Sequence, residues 1–134
     1  MSLDVSPDLL AAAERGEVSD EQFADCIRTS LPYAWNMVSD LSTRLHVNGT
    51  TEAGFVDNLT PPPDEQARGQ LLRALASDAI RACLERHFAV RLAFQNCHRL
   101  AVFPAGTPKD SDEYRTFTSV RSQLLNQSPL LRDC

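Results

Sequence analysis

The chain has 134 residues, 43% of them hydrophobic and 23% charged. That length and balance fit one small globular domain with its own core, and they exclude wholesale disorder. The net charge is −5, from 13 basic and 18 acidic side chains, which weighs against the concentrated basic face of a nucleic-acid binder.

The first helix is expected over about 7–15. Ser6 caps it, Pro7 takes its first position and Gly16 stops it. The second starts at a capping box, Ser19 with Gln22, stapled by Val18 and Phe23, and carries Phe23, Ile27 and Leu31 on one face. Pro32 ends or kinks it. A third helix runs from about Pro32 to His46 with Ala34, Val38, Leu41 and Leu45 on its buried side, and Asn48-Gly49 closes it. Residues 47–63 read as a loop: Thr60-Pro61-Pro62-Pro63 is extended, and Gly54-Phe55-Val56 has the makings of a short edge strand.

The fourth helix is expected to be the longest, about Pro63 to Phe88, with Leu72, Leu75, Ala76, Ala79, Ile80, Cys83 and His87 on one broad face. The period then changes to two. Val90, Leu92 and Phe94, then Leu100 and Val102, predict a β-hairpin over about 89–103 with its turn near Asn96-Cys97. A last helix starts at Asp110 or Ser111, with Tyr114, Phe117, Val120, Leu124 and Leu125 as its apolar side; 128–134 is a tail. The predicted class is α+β, predominantly helical, with about five helices and one hairpin between the long fourth helix and the last. The domain divides into a helical half 1–46, a loop 47–63, a helix-hairpin-helix half 64–127 and the tail.

Charge is unevenly placed. Residues 1–66 carry 12 acidic and 3 basic side chains; residues 67–134 carry 6 acidic and 10 basic. The halves therefore attract each other, or an Arg-bearing face meets an acidic partner. No segment approaches the ~20 apolar residues of a membrane-spanning helix. The N-terminal MSLDVSPDLL has an early Asp and no basic region, unlike a signal peptide. The expected address is cytoplasmic, with Cys26, Cys83, Cys97 and Cys134 as free thiols.

One cluster has ligand chemistry: Cys83 and His87, four apart on a helix, and Cys97-His98 at the hairpin turn. Two thiolates and two imidazoles satisfy tetrahedral zinc. The spacing C-x₃-H-x₉-C-H is not a standard finger pattern, and the plainer reading is a buried thiol, a helix-end cation and turn residues. Cysteine catalysis at Cys97 beside His98 lacks an oxyanion-hole motif, and the C-terminal end of a helix disfavours a thiolate at Cys83. No nucleotide-binding loop, nucleophile elbow or calcium loop is present.

The expected function is a small cytoplasmic, non-enzymatic regulatory or interaction module, holding a protein partner or pairing with itself through the hairpin edge. The alternative is a small-molecule or metal-binding protein or enzyme with a site near the end of the long helix and the hairpin turn. There, His46, His87, His98 and Trp35 would surround a cavity.

Overall fold

The computed structural model describes residues 2–49 and 53–126; the tail 128–134 and part of the 47–63 loop lie outside these. The fold is α+β and predominantly helical. Helices α1 (Pro7–Glu14), α2 (Asp20–Ser30) and α3 (Pro32–Asn48) form the first half. Strand β1 (Val56–Asp57), helices α4 (Glu65–Leu75) and α5 (Asp78–Phe88), strands β2 (Val90–Gln95) and β3 (Arg99–Pro104), and helices α6 (Asp112–Phe117) and α7 (Val120–Leu125) form the second.

The helix starts follow local chemistry. The Ser6 hydroxyl accepts from the Leu9 amide, and Ser19 and Gln22 make the reciprocal capping box. Among the described residues there are seven helices, not about five. The fourth helix breaks because Ser77 caps a new one, its hydroxyl accepting from the Ile80 amide. The buried stripe slips in phase across that break: Ala67, Leu71, Ala74 and Leu75 precede it, Ile80, Cys83 and Leu84 follow it. Leu72, Ala76, Ala79 and His87, expected on one buried face, are exposed. The last helix breaks in the same way at Ser119, whose hydroxyl accepts from the Ser122 amide. Phe117 is buried, whereas Val120, Leu124 and Leu125 are left outside.

The predicted hairpin is there, with Asn96 at φ 53° in its turn. It belongs to a three-stranded antiparallel sheet ordered β1-β3-β2, in which Val56 lies opposite Val102 and Asp57 opposite Ala101. The sheet buries both faces. Leu92, Leu100 and Val102 point into the main core with Ile27, Leu31, Leu41, Leu71 and Leu84; Ala93, Ala101 and Phe103 join Phe55 and Phe117 in a second cluster under α6. β1 covers one edge of the hairpin. On the open edge, along β2, the Glu85 carboxylate accepts the Leu92 amide at 2.9 Å. No helix among the described residues is long and apolar enough to cross a membrane.

Candidate functional site

The residues of the Cys/His cluster have separate surroundings. Cys83 is buried on α5, its Sγ 3.8 Å from the Asp20 carbonyl oxygen, and burial pushes its thiol pKa up. That is the environment of a protonated, unreactive thiol. His87 packs tilted against Trp35 and edge-on against Phe88, with ring centroids 4.8 and 4.7 Å away. His98 is buried at the turn. Its carbonyl accepts from the Asn58 side-chain amide at 2.7 Å, and its Nδ1 is buried with no hydrogen-bond partner. Burial, helped by the neighbouring Arg99 charge, lowers its pKa and favours the neutral ring.

Cys97 is also buried, but it is disulfide-bonded. The expectation of four thiols therefore fails at Cys97. Cys26 and Cys83 are free, and Cys134 lies outside the described residues. A sulfur in a disulfide is not a thiolate ligand. Among the described residues no group of three or more His, Cys, Asp and Glu side chains is arranged to hold a metal ion.

The wider histidine set divides likewise. His46 Nε2 lies 3.0 Å from the Phe88 carbonyl oxygen, so His46, Trp35 and His87 all pack around the end of α5. His98 instead keeps to the hairpin turn, beside Asn58. Trp35 itself is core, 9% exposed.

Three concavities merit comparison. An acidic one, about 440 Å³, is lined by Asp4, Asp8 and Asp25. A groove of about 710 Å³ follows the open edge of β2, with Asp78, Arg81, Glu85, Leu92, Phe94 and Lys109 in its walls. Its charges are largely engaged: Arg81 pairs with Asp78 at 2.7 Å, and Glu85 holds the Leu92 amide.

The third is a cleft of about 840 Å³ between β3, α6 and α7. Arg99, Arg115 and Arg121 line it, with Asp112 as the acidic side chain among them. Arg99 is fixed. Its Nε donates to Asp57 Oδ2 at 2.8 Å, and its guanidinium carbon lies 5.1 Å from the Phe117 ring centroid. Arg115 and Arg121 are exposed and in no ion pair among the described residues.

The fold assembles this cleft from distant segments. Asp57 orients Arg99 across 42 residues. Gln95, buried at the end of β2, donates to the Phe117 carbonyl and to Ser122 Oγ, tying α6 and α7 to the sheet. The asymmetry of charge between the two halves was the sequence signal for it. The break at Ser119, between Arg115 and Arg121, was the part that helical periodicity concealed.

No curated protein and no solved structure is detectably similar to the chain. The family KH_NucS_shadow, described as NucS shadow ORF, matches residues 1–134, and the chain belongs to that family.

Proposed function

We propose that the protein is a small, non-enzymatic interaction module that works by holding a protein partner. The observation that supports this reading is the α7 surface. Val120, Leu124 and Leu125 are 77%, 67% and 67% exposed on a helix of six residues, beside the arginine-lined cleft. Three largely exposed apolar side chains on one short helix, one of them in the wall of an arginine-lined cleft, offer apolar area that a partner would cover.

Self-pairing through the hairpin edge is the second form of the same proposal. Glu85 weighs against it, because an incoming strand must displace that carboxylate from the Leu92 amide.

The family designation contains KH, the name of a nucleic-acid module whose G-x-x-G loop clamps about four nucleotides. No two of this chain's five glycines have that spacing. The protein-partner reading therefore keeps precedence.

The cytoplasmic address belongs to the same proposal. The Cys97 disulfide pulls against it, since cytosolic reductants keep thiols reduced. Alkylation in intact cells before lysis reads the state of Cys97: a labelled thiol supports the cytoplasm, an intact disulfide an oxidising compartment.

The test of the module reading is co-purification from the native host. Wild-type protein is compared with a Val120→Asp, Leu124→Asp variant of equal thermal stability. A stoichiometric protein retained by the wild type and lost from the variant is expected. Identical retention by both would remove the reading.

A further inference from the structure

The cleft between β3, α6 and α7 narrows the class of partner. We infer that it takes a short acidic peptide segment studded with apolar residues, its carboxylates on Arg115, Arg121 and Arg99 and its apolar side chains against Leu125 and the outer face of α7. This rests on the reading of the protein as an interaction module.

The argument begins with charge. The whole chain carries −5, yet beyond the closed Arg99–Asp57 pair the charged side chains lining this cleft are Arg115 and Arg121 against Asp112 alone, a small positive excess. A positive cleft on a negative protein steers acidic partners to one place and repels them elsewhere.

Geometry adds to charge. Arginine presents a planar fork that matches carboxylate, and a fork already held in place loses less freedom on binding. Arg99 is held that way by Asp57 and by the Phe117 and Phe55 rings. Arg115 and Arg121 are exposed arms on either side of the α6–α7 break. The apolar part of the ligand follows from Leu125, which lines the same cleft while 67% exposed. A purely acidic chain would leave that surface wet.

Single-stranded nucleic acid fits less well. Its binding sites stack bases on open aromatic faces. Phe55 and Phe117 are only 9% and 2% exposed, and they pack on each other, at 5.3 Å between centroids, and on Arg99. A second copy of this chain, offering its own Asp4, Asp8 and Asp25 concavity, would join head to tail into a ring or an open-ended chain of molecules, and the self-association arm of the test reads either.

The test is fluorescence anisotropy with a labelled eight-residue peptide alternating Glu and Leu, titrated with the full-length protein at low and at physiological salt. Binding is expected, weaker at higher salt, and weakened at least tenfold in an Arg115→Glu, Arg121→Glu variant. Arg28→Glu, Arg44→Glu makes the same change in charge on the opposite half of the sequence and is expected to bind within about twofold of wild type. Arg115→Lys, Arg121→Lys keeps the charge without the forks and is expected to fall between them. All variants are checked for an unchanged thermal melt.

Four results would overturn the inference: no binding at low salt; equal weakening by both charge reversals; tighter binding of a single-stranded oligonucleotide through the same two arginines; or self-association at low salt that disappears in the Arg115→Glu, Arg121→Glu variant. Were the peptide not to bind while the α7 variant still lost its co-purifying protein, the module reading would stand and the acidic class of partner would fall.

Discussion

Arg86 on α5 grips Asp20, the first residue of α2, with Nε donating to Oδ2 and a terminal nitrogen to Oδ1, both at 2.9 Å. The pair joins the acidic first half to the Arg-rich second half, 66 residues apart. Its hydrogen bonds hold the Asp20 carboxyl below the usual carboxylate range, against a smaller opposing effect of desolvation. A depressed folded-state pKa contributes stability that is present above the unfolded value and lost as pH falls through the folded one. Both side chains are exposed, so the contribution at neutral pH is small and screened by salt. Asp20→Asn is therefore expected to lower stability slightly above about pH 4 and to leave it unchanged at lower pH, so that the acid limb of a urea-denaturation profile becomes shallower by that same small amount. An unchanged acid limb would contradict the pairing.

Glu85 guards the sheet edge. Replacing it by alanine leaves the Leu92 amide, part of a residue 2% exposed, without its acceptor. The expected cost is about 1–3 kcal/mol, read as a lower urea midpoint with an unchanged slope. Glu85→Gln keeps an acceptor oxygen and is expected to recover most of the loss.

Gly54 has φ +87°, and a Cβ built there would lie 2.6 Å from Glu113 Cγ. Gly54→Ala therefore meets two obstacles, a left-handed backbone and a collision with α6. A loss of about 2 kcal/mol or more is expected. Adding Glu113→Ala, which removes the Cγ and leaves the Glu113 Cβ 3.1 Å away, is expected to restore most of the collision part and leave the backbone part. A double-mutant cycle in chemical denaturation separates the two.

The cysteines are distinguishable by alkylation. Cys26 and Cys83 are buried free thiols, and burial raises the pKa of Cys83, so both are expected to react slowly in the native protein and rapidly in denaturant. Cys97 is expected to resist alkylation in denaturant until a reductant is added. Peptide mass spectrometry reads each site. Labelling of Cys97 in denaturant without reductant would contradict its disulfide.

Much of the fold was legible where local chemistry decides it. The Ser19–Gln22 capping box, Pro7 behind Ser6, and the period-two run through Leu92 and Leu100 each pointed to the element that forms. The breaks at Ser77 and Ser119 were missed, because averaging over a long apolar stripe hides a phase slip of two residues. The cap itself was visible: Ser77-Asp78 and Ser119 are ordinary N-cap signals placed inside what read as continuous helix. The pairing of Val56 with Val102 lies beyond any local pattern, since the partners are 46 positions apart. The candidate site was half visible. Composition showed where the arginines were, and only the fold brought Arg99 beside Arg115 and Arg121.

The most direct test of the account is an amide-resolved NMR titration of the full-length protein with the Glu-Leu peptide. The cleft reading predicts shift changes at Arg99, along α6 and α7, and at Asn126, with α1, α2 and the β2 groove unmoved. Changes confined to the groove between α5 and β2, or no changes at saturating peptide, would contradict it.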